Sequence, residues 1–371
     1  MMDLLVKTTV EPFGGSCRST SSCTFGHSVK NDSFLIRVDA GSGTGLGHLH
    51  RCLALAEALH QRGARVVFLL SASEGDVGRI KRSNFHCDSM ANLERGGVKD
   101  CERTESSAKN YECRTIVVDS YAAKNEFIEK LRNSGFRVVV INDDTHAPSS
   151  AHVVINGGAH AQQLPYKSAE GGTQFLLGTR YALLRQQFWN VSPKEISPTV
   201  NNVLLCVGGD DSLGVTPQLV QRLDTAVNNK CIFNVVIGPY FSNYEEIQQI
   251  VLPTSRKLSF FNEPEDLFDL MMANDVAVTA GGQTAYELAA TGTPGLAVAL
   301  FDNQHPGARA LADAGTLLFS GFAESGRLPS DLSKMFGLLV SDASLRQRLS
   351  RTAQSTIDGM GARRVAEVLT V

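Results

Sequence analysis

The chain has 371 residues, 43% of them hydrophobic, and a formal net charge of -3 at pH 7. That length accommodates two domains of ordinary size, and no apolar run reaches the roughly 20 residues that cross a bilayer. The near-balanced charge, with Lys and Arg scattered rather than striped, excludes an electrostatic footprint for nucleic acid. Neither a membrane nor a nucleic acid is therefore expected as a partner, and nothing points to a particular protein partner. Eight cysteines form no CxxC pair and no metal-ligand spacing. Cys52 and Cys206 fall in apolar periodic segments as small hydrophobes, which suits a reducing, cytoplasmic setting.

Residues 1–33 are rich in Ser, Thr and Gly and lack the apolar core of a secretory leader; they are expected to be a flexible N-terminal extension. FLIRVDA (34–40) reads as a buried strand, and GSGTGLGHLHR (41–51) as a glycine-rich turn opening a helix that Gly63 ends. ARVVFLL, TIVVDSY, RVVVIND and AHVVIN follow as strands, with a helix at 124–135. The polar stretch 99–114 is expected to be a loop or a poorly packed helix. After a proline-marked break at 190–202 the alternation restarts with NVLLCVGGDD. CIFNVVIG, KLSFFN, VAVTA and PGLAVALF then read as strands separated by helical segments. Such βα alternation predicts α/β architecture with two doubly wound, Rossmann-like parallel-sheet domains, 34–195 and 196–371, facing a cleft. The last helix is placed so that it can pack back on the first domain.

Glycine in the first turn exposes backbone N–H groups at the positive end of a helix dipole, a setting for a phosphate or other anion. Gly45 and Gly47 are the expected contacts. The GxGxxG spacing fails, since the required glycine is replaced by His48 or Leu46 depending on the frame, and no GK[ST] ending follows. A nicotinamide dehydrogenase and a P-loop NTPase are poor readings. What stands in the first helical turn instead is an imidazole, His48. His50, two residues on, lies about 200° further around the helix and is expected to be structural. Gly208 and Gly209 follow the first strand of the second half, and Gly281 and Gly282 precede a helix carrying Thr284. These glycines are candidate anion contacts, although glycine after a parallel strand also serves tight packing. Asp143 with Asp144, and Asp210 with Asp211, are adjacent carboxylates that point apart and have no third ligand at metal-binding spacing.

The stretch VTAGGQTAYELAATGTPGLAVALFDNQHPGARALADAG (278–315) resembles the nucleotide-binding half of the GT-B superfamily, MurG-like in its pattern. That resemblance implies a GT-B fold, a UDP-sugar as substrate, and no metal ion or other cofactor. It also places Glu287 at the ribose hydroxyls, a role a carboxylate one turn into a helix fits chemically because it accepts two hydrogen bonds from a vicinal diol. Over 34–370 the chain more specifically resembles the UDP-2,4-diacetamido-2,4,6-trideoxy-β-L-altropyranose hydrolases of pseudaminic (nonulosonic) acid biosynthesis, the route to flagellin glycosylation. The carriers are IRVDAGSGTGLGHLHRCLALAEAL, VVDSY, INDD, LLGTRYALLRQQF, VGGDD, AGGQTAYEL, FDNQ and IDGMGARRVAEVL. Gly41, Gly43, Asn156 and His305 stand where that family often has other residues.

The resemblance implies metal-independent hydrolysis at the anomeric carbon, with C–O cleavage and inversion, releasing UDP and the free sugar. His48 would be the catalytic base, and imidazole is the side chain suited to accept a proton near neutral pH. UDP is already a good leaving group, so no general acid is required. Arg51, three residues on and on the same helix face, is read either as a contact to diphosphate or sugar carbonyl or as a surface ion pair. Tyr121, Asn303 and Gln304 end strands where α/β sheets place ligands, and are expected at the sugar. Tyr181 and Arg185 belong to the YALLR block and are read either as functional or as packing residues before the break. Two other readings remain: a GT-B glycosyltransferase, and a nucleotide-sugar-binding protein without catalysis.

Overall fold

Strands buried on both faces alternate with helices, and the computed structural model resolves that pattern into two parallel sheets. The structure describes residues 32–370 apart from 42–45, 72–73, 91–92, 144–147, 226–230, 251, 253–256 and 265. Almost all of the expected N-terminal extension, together with Gly43, Gly45 and Asp144, lies outside the described residues.

The first sheet comprises β1 (Ser33–Asp39), β2 (Arg65–Ser71), β3 (His86–Ser89), β4 (Thr115–Asp119), β5 (Arg137–Ile141), β6 (Val153–Asn156) and β7 (Gln174–Leu177), in the order β3-β2-β1-β4-β5-β6-β7. The second comprises β8 (Asn202–Cys206), β9 (Ile232–Ile237), β10 (Leu258–Asn262), β11 (Val276–Thr279), β12 (Gly295–Ala299) and β13 (Leu318–Phe322), in the order β10-β9-β8-β11-β12-β13. All neighbouring strands are parallel. In each sheet the strand order reverses beside the first strand, between β1 and β4 and between β8 and β11. At such a reversal the loops leave in opposite directions and open a crevice at the carboxyl ends of the strands.

β1 is buried at all seven positions, including Arg37, which its apolar neighbours would not suggest. The Arg37 guanidinium donates to Asp39 Oδ1 at 2.6 Å and, through Nε and Nη2, to both carboxylate oxygens of Asp100. Asp100 also accepts from Gly96 N at 2.7 Å. This pairing compensates the burial of charge and explains a difference from the sequence reading. Of the two readings of 99–114 the helical one holds, but the helix is not poorly packed: Val98–Asn110 is a 13-residue helix whose buried face is Asp100, Cys101, Thr104, Ser107 and Ala108. A hydropathy pattern misses a helix that packs through polar groups. β3, β7 and β13 were likewise not anticipated. They are edge strands, exposed enough to dispense with a continuous apolar run.

One core cluster joins the first helix (Gly47–Gln61) to β1, β2 and β4 through Leu49, Leu53, Phe68 and Val117, and includes Ala362, Val365 and Leu369 of the C-terminal helix Gly361–Leu369. Arg137 Nη1 donates to Leu369 O at 2.7 Å, satisfying a terminal helix carbonyl and fixing that helix against the first lobe. A second cluster fills the other lobe around Val203, Phe233, Leu296 and Phe336. The described residues of both sheets belong to one compact unit. Among the described residues no helix is long and apolar enough to cross a membrane.

Candidate active site

Both points of strand-order reversal open onto one cleft of about 1020 Å³. Leu46, Gly47, His48, Arg51, Tyr121 and Asp143 line it from the first lobe, and Gly208, Gly209, Gly281, Gly282, Thr284, Asn303 and Gln304 from the second. Direct contacts span the lobes: Gln283 Nε2 donates to Leu183 O at 2.8 Å, Ala159 N to Tyr286 Oη at 3.0 Å, and Arg79 pairs with Glu263 at 3.1 Å.

His48 sits in the first turn of the helix that follows β1, and Asp119 is the last residue of β4, the strand beside β1. The topology thus brings together residues 71 apart. His48 Nδ1 lies 2.5 Å from Asp119 Oδ1, in a site where His48 is 6% and Asp119 0% exposed. Arg51 donates to the same carboxylate through Nε to Oδ2 at 2.7 Å and Nη2 to Oδ1 at 2.6 Å, and Cys52 Sγ lies 3.3 Å from Oδ2. Burial alone would raise the pKa of Asp119, but Arg51 and His48 outweigh it and hold the carboxyl well below the ordinary range. Arg51 Nη2 is also 3.0 Å from His48 Nδ1. A guanidinium only donates, so the acceptor shared by both is Asp119. That assigns the imidazole proton to Nδ1 and leaves the Nε2 lone pair available.

Arg51 is an ion-pair residue, as one of its two sequence readings had it, but not a surface one. Its side chain is 17% exposed, grips Asp119 with two hydrogen bonds and lies 3.5 Å from Asp143 Oδ2. Asp119 itself was not singled out from the sequence. The available signal was its place as the one acidic residue ending the apolar run TIVVD.

Tyr121, 38% exposed, presents its ring edge-on to His48 with centroids 4.8 Å apart. Its hydroxyl donates to Asp143 Oδ2 at 3.0 Å and accepts from Asn303 Nδ2 of the other lobe at 3.4 Å. Burial and the Asp143 charge push its pKa up to about 12, so it remains a donor at neutral pH. Gln304, in the short turn after β12, spends Oε1 on Leu300 N at 2.9 Å and Phe301 N at 3.3 Å, which closes that turn.

The glycine turns serve more than one purpose. A Cβ on Gly281 would lie 2.7 Å from Ala308 Cβ, so that glycine is required by packing, whereas Gly208 has φ +111°, a conformation that disfavours side chains. Gly209 approaches Leu46 of the opposite lobe, and Gly47 approaches Gln283. Glu287, on the helix Gln283–Thr291, is 2% exposed and is not part of the cleft wall. Its Oε1 has no hydrogen-bond partner among the described residues, and Arg185 Nη2, which lies 3.6 Å away, belongs to a residue that does line the cleft. Burial raises the Glu287 pKa and Arg185 offsets this only in part.

His50 corrects the sequence reading. It lines the cleft together with Arg79 and Arg185, because the helix enters end-on, with Gly47, His48, His50 and Arg51 at the opening and only Leu49 turned into the core. Burial and those two cations push its pKa to about 3, so it is neutral. Asp211, buried, accepts from Val215 N at 2.8 Å and Thr216 N at 3.0 Å and so caps the helix Val215–Asp224.

No family model matches the chain. It is 25% identical over 285 residues to an uncharacterized protein of Methanocaldococcus jannaschii, covering 72% of this chain and 55% of that one. It is 22% identical over 339 residues to the spore coat polysaccharide biosynthesis protein SpsG of Bacillus subtilis, covering 90% and 96%. It is 23% identical over 269 residues to the pseudaminic acid cytidylyltransferase and UDP-2,4-diacetamido-2,4,6-trideoxy-β-L-altropyranose hydrolase of Helicobacter pylori, covering 70% and 43%. The chain therefore spans about half the length of the archaeal relative and less than half of the last. Among solved structures, MurG of Acinetobacter baumannii superposes with a TM-score of 0.65 at 18% identity, covering 91% of this chain and 99% of that one. MnaA of S. aureus, in a UDP co-structure, superposes with 0.63 at 11% identity, covering 91% and 96%. The fold is GT-B. Its two parallel-sheet lobes, each with a strand-order reversal on the shared cleft, are the architecture predicted from the sequence, and the His48–Asp119–Arg51 group lies at the first lobe's reversal.

Proposed function

We propose that this chain hydrolyses a UDP-linked diacetamido trideoxyhexose to UDP and the free sugar. The observation that carries the reading is the imidazole whose Nδ1 is fixed by a buried, ionised Asp119 at the wall of a cleft shared by two parallel-sheet lobes. His48 Nε2 takes a proton from water as the water oxygen attacks the anomeric carbon. The bond from that carbon to the phosphate oxygen breaks with its electron pair, and UDP leaves from the opposite face, inverting the centre. Positive helix ends after Gly47 and Gly282 face the charge that develops on the diphosphate. Arg51 and Asp119 hold the imidazole rather than touch the reacting atoms. The similarity to the H. pylori protein supports this choice of sugar.

The second reading, transfer of the same sugar to an acceptor hydroxyl, uses the same donor site and base, so donor binding does not separate them. Incubation of pure protein with the UDP-sugar alone does. Hydrolysis predicts rapid, saturable UDP release and an inverted anomer by NMR. Absence of release without an acceptor sinks the hydrolase reading, and retention contradicts direct displacement. A protein that binds the UDP-sugar and leaves it intact in every mixture would be neither enzyme.

Glu287 supplies the ribose acceptor in this reading: its Oε1, paired with Arg185 at 3.6 Å, accepts no hydrogen bond among the described residues and is open to a donor. Glu287→Ala is expected to weaken UDP binding by roughly 1.5–3 kcal/mol, measured by titration calorimetry. The substitution also takes the buried ion-pair partner from Arg185, so the free protein's Tm is expected to fall, and UDP affinity is to be measured well below that Tm. Unchanged UDP affinity removes Glu287 from the site.

A further inference from the structure

Beside Tyr121, two covered polar atoms of the cleft wall have no hydrogen-bond partner among the described residues. Asp143, just past the end of β5, has Oδ2 fixed by the Tyr121 hydroxyl at 3.0 Å and by Arg51 at 3.5 Å, while Oδ1 is covered and has no hydrogen-bond partner. His160, in the loop after β6, has a covered Nδ1 that is equally without a partner. Both residues line the cleft, on adjacent strands' ends, beside the Tyr121 ring that abuts His48. His160 is further confined by Gly158 and by Gly307 of the opposite lobe: side chains at those positions would meet its ring at 3.1 Å and 3.7 Å. Buried polar atoms are nearly always paired, so two orphans on one cleft wall call for an explanation.

The chemistry of the two atoms is complementary. An ionised carboxylate only accepts, so whatever completes Asp143 must bring an N–H or O–H. A neutral imidazole places its proton on either nitrogen, and burial lowers the His160 pKa even though the Asp143 charge works against this. The two side chains make no hydrogen bond with each other among the described residues, so a ligand has to supply a donor to one and a partner to the other. A secondary amide does so from separate atoms.

Resting on the reading that a nucleotide sugar occupies this cleft, we propose that Asp143 and His160 recognise an acylamino group on the sugar, its N–H donated to Asp143 Oδ1 and its carbonyl accepting from His160 Nδ1. They act as specificity-determining residues: the amide brings its donor and its acceptor on separate atoms, one for each residue, whereas a hydroxyl has to serve both from a single oxygen.

Titration calorimetry of the full chain with UDP, UDP-N-acetylglucosamine and UDP-glucose tests this without requiring turnover. The wild type is expected to bind the acetamido probe about tenfold more tightly than UDP-glucose. In Asp143→Asn the amide oxygen stays with Arg51, which only donates, so the NH2 group replaces Oδ1 and faces the ligand's N–H. The preference should then fall to within twofold, and His160→Ala should lower it as well. UDP affinity, carried by the other lobe, reports that each variant is folded. Equal binding of the two sugar nucleotides by the wild type, or a tenfold preference surviving in both variants, overturns the assignment. Failure of UDP itself to bind the wild type would instead overturn the reading on which it rests.

Discussion

Asp119→Asn is expected to lower turnover by roughly 10²–10⁴ and to destabilise the fold by about 3–5 kcal/mol. Asparagine keeps the size of the side chain but removes the charge that three neighbours address. Its amide oxygen can accept from His48 or from Arg51, and its NH2 group then confronts another donor. Either His48 loses the contact that fixes its tautomer or the 17%-exposed Arg51 loses half of its bidentate partner. The two effects separate experimentally: kcat reports the misdirected imidazole, whereas UDP affinity, which the proposed reading assigns to the other lobe, should hold within a few-fold. The pH dependence carries the same signature. The folded carboxyl titrates below its unfolded value of about 3.9, so its contribution to stability is complete above pH ~4 and is lost as pH falls further, toward the depressed folded value. Denaturant unfolding at several pH values should show a constant gap between wild type and variant from neutral pH to about 5, narrowing below pH 4. A gap independent of pH throughout would show that Asp119 is not held as an ion, and an unchanged kcat would remove it from the catalytic group.

What the sequence disclosed and what it withheld divide along a physical line. Strands such as 34–40 and 276–280 are legible because a central parallel strand is buried on both faces and is therefore mostly apolar. The helix Val98–Asn110 is not, because its contact with β1 runs through Asp100 and Arg37, two residues that a hydropathy pattern assigns to solvent. Edge strand β3, with the sequence His-Cys-Asp-Ser, has one fully buried residue and so gives no apolar signal. At the site, His48 is conspicuous because glycine is costly and four glycines precede it in the same turn. Asp119 is 71 residues away and becomes its neighbour only because β4 pairs with β1. Spacing along the chain cannot show that pairing, although strand order can: once β1 and β4 are adjacent, the residues that end them must meet. His50 was misjudged for the opposite reason. Angular position around a helix decides which residues face a wall lying parallel to its axis, but this helix presents its end to the cleft, so His48, His50 and Arg51 all reach the opening.

The sharpest test falls on the residue the rest of the group serves. His48→Gln retains an amide that can donate to Asp119 and removes the lone pair that takes the proton from water. Turnover should fall by roughly 10²–10⁴, while UDP binding stays within a few-fold, because the proposed reading assigns most of the nucleotide's contacts to the other lobe. Stability should change less than in Asp119→Asn, because the Arg51–Asp119 pair survives. That difference makes the variant informative: a loss of turnover in a protein with near-normal Tm and UDP affinity identifies the imidazole as the base. Near-normal turnover would return His48 to a residue that merely opens a helix. The base would then have to be found elsewhere in the same cleft, where His50 lies between Arg79 and Arg185 and is held neutral by burial and their charge, so that His50→Gln would be the next substitution to assay.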